Sequence, residues 1–246
     1  MNRCIILHIP HSSTKIPLVE GYISTQLVLK HEITILTDWF TDELFDLPFS
    51  KVIAPFSRIF CDVERFENDN EEIMASCGMG MCYTHTDNGD LMRNVTPSLK
   101  SEIAAKYYRK HHFDFEMVVT EKLKERDKVL IIDCHSFPDK PMNRDLIQEV
   151  PRPDFCIGTD KFHTSRELAS FAVDYIKNHG YSVKINNPYS GSIVPLKYYQ
   201  KNEKVQSLMI EVNRKLYMKT ENGEAIKTES FHKIKDLIAD LIMKME

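Results

Sequence analysis

Apolar positions along this chain follow two periods. The runs CIILHI (4–9), VLIIDCHS (129–136) and VQSLMIEVN (205–213) are nearly solid in apolar residues. The first ends at Pro10, and the second predicts a central strand covered on both faces. DFCIGT (154–159) and YSVKIN (181–186) predict two more short strands, and KVIAPF with RIFCDV (51–63) two strands or one bent one. Helical spacing appears at 25–47 (Leu27, Ile33, Leu36, Phe40, Leu44) and again from Ser98, a predicted N-cap, to Glu125. Residues 165–180 predict a helix with a Ser N-cap and a Gly stop, and residues 228–245 a closing amphipathic helix. Residues 64–95 fit neither period: they hold FENDNEE and three glycines, a long irregular excursion of the kind that is functional or mobile. Strands and helices alternate, which predicts an α/β fold with a mostly parallel or mixed sheet and helices on both faces. No repeat or linker divides the chain, so residues 1–246 read as one domain.

Composition narrows the classes. A net charge of -4 without a Lys/Arg-dense stretch gives no electrostatic basis for a nucleic-acid partner. The N-terminal apolar run is too short for a signal-peptide core, and no stretch reaches a membrane span, so the expectation is a cytoplasmic protein with no membrane partner. Several of the six cysteines sit within apolar runs, where a thiol behaves as a small hydrophobe, so they read as reduced and structural.

Polar residues gather where strands end. His8 and His11 follow the first strand; Asp133, His135 and Ser136 close the second run; Glu211 and Arg214 close the last; Arg58, Asp62, Glu64 and Arg65 surround residues 59–63. In open α/β sheets, ligands bind beyond the carboxyl ends of strands. Imidazoles with a carboxylate make a catalytic zinc set that leaves a position open for water, and a further carboxylate serves as general base. His11, His135, a carboxylate and Glu211 meet that need. Each His alone is an ordinary polar strand end, and Glu211 paired with an arginine would be structural. Ser192, Ser136 and Cys134 are rival nucleophiles, but neither serine lies in a G-x-S-x-G elbow and a thiol inside a strand is usually inert.

The blocks PHSSTKIP (10–17), LTDWFTDELF (36–45), SRIFCDVER (57–65), DCHSFP (133–138), DFCIGT (154–159), YSGSIVP (189–195) and LMIEVNRKLYM (208–218) together resemble the N-formylglutamate amidohydrolases. That family is related to the zinc carboxypeptidases. The resemblance implies a three-layer, zinc-exopeptidase-like fold with a mixed, mostly parallel sheet. It also implies one divalent metal, normally Zn2+, and a small-molecule acyl amino acid substrate, N-formyl-L-glutamate, cleaved to formate and L-glutamate in histidine degradation. By the same resemblance His11 and His135 are metal ligands, with Asp38 preferred over His8 as the third. Glu211 is the general base. Arg58 and Arg65 are candidates to bind substrate carboxylates, and one of them is a candidate to polarise the scissile carbonyl. Gly191 and Ser192 are candidates to lie against the substrate; His112 and Tyr217 are lesser ones.

Three departures point away from the family's usual substrate. Glu64 stands where Asn is usual, FENDNEE replaces a Pro-rich stretch, and the arginine after CHSFP, Arg144, lies farther along the chain than the family's. Metal-dependent cleavage of a peptide or cell-wall amide is therefore a second reading, and a degenerate, non-catalytic ligand-binding domain a third.

Overall fold

The structure, a computed structural model, describes residues 3–246. Its main sheet has six strands: β1 (Cys4–Ile9), β2 (Ser50–Ile53), β3 (Val129–Phe137), β4 (Phe155–Gly158), β5 (Val183–Ile185) and β6 (Val205–Asn213). Their spatial order is β2-β1-β3-β6-β4-β5. The pairs β2–β1, β1–β3 and β3–β6 are parallel, β4 runs antiparallel to β6, and β5 runs parallel to β4.

Alternation along the strands divides the core into two layers. Ile5, Leu7, Leu130, Ile132, Leu208 and Ile210 pack with residues of α5 (Arg166–Asn178) and α6 (Phe231–Met243). Ile6, Val129, Ile131 and Val205 pack with Phe115 and Val119 of α4 (Arg109–Glu125) on the other face. The result is the expected three-layer α/β arrangement. α5 has the predicted ends, with the Ser165 hydroxyl accepting from Leu168 N and Gly180 at φ 83°.

Elsewhere local chemistry overrides the apolar pattern. The helical stretch at 25–47 splits into α1 (Gln26–Leu36) and α2 (Thr41–Leu44), and the break places Asp38 in a loop whose N–H donates to His11 O. Residues 58–63 form a turn. Phe60 N and Cys61 N both donate to Ser57 O, so the apolar residues there reflect burial and not strand pairing. Thr96, not Ser98, caps α3 (Pro97–Ile103), with Pro97 at the first helical position where its missing N–H costs nothing. A π-helical turn at Ala104–Tyr108 joins α3 to α4. An additional hairpin, β7 (Met218–Glu221) and β8 (Glu224–Lys227), turns at Asn222-Gly223, both with positive φ. That Asn-Gly pair is the sequence signal for it. Within 64–95 the one regular element is a 3-10 turn at Ile73–Cys77. All six cysteines are free. Among the described residues, no helix is long and apolar enough to cross a membrane.

Candidate active site

Register builds the floor of the site. Parallel pairing sets His8 beside Asp133 and His135 beside Glu211. By the two-residue period all four project from the face that α4 covers, near the carboxyl ends of β1, β3 and β6. His8 lies flat on Phe115 of α4, with ring centroids 4.7 Å apart.

Loops beyond those strand ends complete the cluster. His11 follows β1, and its Nε2 lies 2.8 Å from Asp62 Oδ1. Asp62 is fully buried, and its other oxygen accepts from Arg58 Nε and Nη2 and from the Tyr83 hydroxyl. The His11–Asp62 bond places a proton of His11 on Nε2, so in the neutral ring Nδ1 is the nitrogen with a lone pair. That Nδ1 is buried without a hydrogen-bond partner, 3.7 Å from Asp38 Oδ2 and 3.9 Å from Glu64 Oε2. Asp38 Oδ2 is also 3.1 Å from His135 Nδ1, and Asp38 Oδ1 accepts from Arg214. Glu64 Oε2 lies 3.1 Å from His135 Nε2, as does Asp133 Oδ1. The donor atoms of His11, Glu64 and His135 fall within 4.8 Å of one another, and so do those of His8, Glu64 and Asp133. Either group could hold a cation, and Asp38 is within reach of both His11 and His135.

Charge is unevenly matched here. The carboxylates of Asp38, Asp62, Glu64, Asp133 and Glu211 share their surroundings with the guanidiniums of Arg58, Arg65 and Arg214. Burial alone would keep His135 neutral, yet Glu64 and Asp133 hold its pKa well above the usual histidine range. His11 shifts the same way: burial and Arg58 oppose its charge, and Asp62 and Asp38 prevail. Asp38 and Asp62 are held far below the carboxylate range by histidine and arginine charge, against burial. Glu211 is the exception: burial pushes it up to about 8, and its Oε2 has no hydrogen-bond partner.

Most of the residues expected from the sequence come together. His11, Asp38, Arg58, Arg65, His135 and Glu211 all line one cavity of about 300 Å³. His8 lies beneath it, between Asp133 at 3.0 Å and His111 at 3.0 Å. Gly191 and Ser192 do not face the histidines: the Ser192 hydroxyl pairs with Ser207, while Pro188, Tyr189 and Ser190 supply that loop's share of the lining. Tyr217 is a core residue whose hydroxyl donates to Trp39 O. His111 turns inward to His8 and His112 stacks on Tyr108, so the histidine of this helix that reaches the cluster is His111 and not the candidate His112. The π turn preceding them inserts one residue and so rotates the downstream side chains by about 100° around the helix axis. The sequence carries no signal for Tyr83, which sits within the irregular excursion.

Comparison with known proteins accords with this geometry. A family model described as N-formylglutamate amidohydrolase matches residues 3–218. The chain belongs to the N-formylglutamate amidohydrolase family. Its fold is that of an N-formylglutamate amidohydrolase from Ralstonia eutropha JMP134. The TM-score is 0.85 at 22% identity, covering 99% of this chain and 94% of that one. A gene product from Agrobacterium tumefaciens gives a TM-score of 0.70 at 19% identity, covering 98% of this chain and 89% of the other. No curated protein sequence matches the chain. As a member of an amidohydrolase family, the chain is read as an enzyme.

Proposed function

We propose that this N-formylglutamate amidohydrolase family member cleaves the amide of a small N-acyl amino acid with the help of one divalent metal. N-formyl-L-glutamate is the substrate that the family description supplies. The observation that carries the metal is the buried His11 Nδ1, which has no hydrogen-bond partner and lies among the donors of His135, Asp38 and Glu64. A buried polar atom without a partner is costly, and a cation would satisfy it. The excess of carboxylates over arginines points the same way, because a cation would take the place of the protons that His11, His135 and Glu211, with their raised pKa values, hold in the metal-free protein. His11, His135 and Asp38 would hold it, with Glu64 as a further oxygen within reach. His8 suits the role less, since Asp133 and His111 occupy both of its nitrogens. Nitrogen and carboxylate donors of this kind suit zinc.

A metal so placed supplies a Lewis acid that polarises the carbonyl and makes water acidic. The chain's own residues do the rest. Glu211 takes the proton of the attacking water and passes it to the leaving nitrogen. Arg58 is fixed to Asp62 through Nε and Nη2, and its Nη1 remains to hold the carbonyl oxygen as it gains charge. Arg65 receives the substrate carboxylate, because it lines the cavity, its Nε has no hydrogen bond and lies 3.8 Å from Asp62 Oδ2, and a guanidinium matches a carboxylate in two-point contact. A cavity of about 300 Å³ suits a single amino-acid derivative more than a polymer.

The test is metal content together with formate release. One zinc-class ion per chain is expected by elemental analysis, and dialysis against a chelator is expected to abolish formate release until metal is restored. Full activity without metal would overturn the reading. Arg65→Gln is expected to raise KM about 10- to 100-fold for a carboxylate-bearing substrate, with a smaller change for the corresponding amide. Steady-state kinetics on the two compounds decide it.

A further inference from the structure

The proposed reaction leaves one buried polar group without a task. His8 and Asp133 lie beneath the cavity, 0% and 2% exposed, paired across β1 and β3. His8 Nδ1 is 3.0 Å from Asp133 Oδ1. Asp133 Oδ2 accepts from Ile193 N, which fixes the carboxylate with Oδ1 toward the ring. At the other end of the ring, His8 Nε2 lies 3.0 Å from His111 Nε2. With His111 as acceptor, His8 donates from Nε2 and turns the lone pair of Nδ1 toward the carboxylates. The second nitrogen of a metal-bound imidazole is held in this way.

Glu64 closes the group from the cavity side. Its Oε1 reaches His8 Nδ1 at 3.6 Å and its Oε2 reaches His11 Nδ1 at 3.9 Å, and both oxygens lie within 3.2 Å of His135 Nε2. One carboxylate thereby belongs to both donor groups. Among the described residues, the ion pairs of Asp133 and Glu64 are with histidines alone. Arg58, Arg65 and Arg214 pair instead with Asp62 and Asp38. Buried carboxylates set against imidazoles, with no arginine or lysine, are in the setting where a metal is coordinated.

We propose that His8, Asp133 and Glu64 form a second divalent-cation site, which shares Glu64 with the ion held by His11, His135 and Asp38. The second ion takes the place of the hydrogen between His8 Nδ1 and Asp133 Oδ1, so the bond that keeps His8 from the first ion brings two donors to the second. One imidazole with two carboxylates is a harder donor set than two imidazoles with one, and it suits Mn2+ as well as Zn2+. The second ion is therefore held more weakly and is lost on dialysis that leaves the first in place. The site rests on the proposed metal reading only for the neighbouring ion that shares Glu64.

The full chain, dialysed with one zinc bound, is titrated with Mn2+ and followed by electron paramagnetic resonance and calorimetry. One further Mn2+ per chain is expected. His8→Gln is expected to weaken it at least about 10-fold while the zinc stays bound, and Asp133→Asn and Glu64→Gln to weaken it comparably. Glu64 is partly exposed, so Glu64→Gln keeps the test in hand if a variant at the two buried positions fails to fold. In a chain loaded with Mn2+ alone, two ions bridged by Glu64 are expected to give a spin-coupled spectrum. Absence of a further Mn2+ on the zinc-loaded chain overturns the inference. So does a second ion whose affinity is unchanged in His8→Gln and Glu64→Gln, and a spectrum of isolated ions overturns the sharing of Glu64. Mn2+ binding that is lost in His8→Gln, in a chain that takes up no zinc and releases no formate, would overturn the proposed function and leave this site standing.

Discussion

Glu211→Gln is expected to keep one metal per chain and to lower kcat by about a thousandfold or more. Removing a positioned general base costs about 10²–10⁴ in rate, and here the same carboxyl must both accept and return the proton. The geometry makes the substitution informative. Glu211 lies beside His135 in the β3–β6 register, it is 6% exposed, and one of its oxygens has no partner. Glutamine keeps the shape, so metal content separates a lost base from a collapsed site. The pH dependence gives a second check. Burial raises the Glu211 pKa to about 8 in the metal-free protein. A raised carboxyl pKa favours the fold at low pH, and that contribution is lost as pH rises from the unfolded value of 4.5 through about 8. Metal-free wild-type protein is therefore expected to lose melting temperature between about pH 5 and about pH 8, and Glu211→Gln to lose less. Metal binding places a positive charge nearby and lowers this pKa, so the acid limb of kcat/KM is expected below pH 8. Equal turnover in wild type and variant would show that Glu211 is not the base.

Strands that are solidly apolar except at their ends were the most legible part of the chain. In β1, β3 and β6 a polar residue among Ile, Leu and Val is conspicuous, and the period of two fixes which ones share a face. The sequence places His8, Asp133, His135 and Glu211 at strand ends, and the register between the strands puts them on one face. Other features depend on contacts that no local pattern carries. RIFCDV reads as a strand because it is buried, yet the Ser57 carbonyl and the Arg58–Asp62 pair close it into a turn. Asp62 looks from the sequence like a partner for neighbouring arginines, and only the fold brings His11 and Tyr83 to it. His111 was passed over in favour of His112, and the π turn before them helps set which of the two faces inward. The role of Glu64 was half visible: its departure from Asn stood out, but its direction, toward the histidines, is a matter of tertiary structure.

Asp62→Ala is expected to destabilise the protein by about 3–5 kcal/mol, the usual cost of stranding the partners of a buried charge. Asp62 is inaccessible to solvent and binds His11, Arg58, Tyr83 and the Glu64 N–H. Alanine leaves the Arg58 charge buried without its hydrogen-bonded carboxylate, with Asp38 3.9 Å away as its remaining ion pair. It also frees the His11 ring, whose tautomer and angle Asp62 fixes, so metal affinity is expected to fall about 10- to 100-fold. Asp62→Asn separates the two effects: it fills the same space and can still accept from Tyr83, but it removes the charge that balances Arg58 and Arg65. The sign of the pH effect follows from the direction of the shift. Histidine and arginine charge hold Asp62 well below 3.8, so its contribution is complete at neutral pH and lost only as pH falls through the folded-state value. Denaturant unfolding at neutral pH is expected to show the full difference between wild type and variant, and the gap is expected to close only below about pH 4. If the gap is instead constant from pH 7 to pH 2, the stabilisation comes from packing rather than from the carboxylate, and Asp62 is not the anchor of the two arginines and the first histidine.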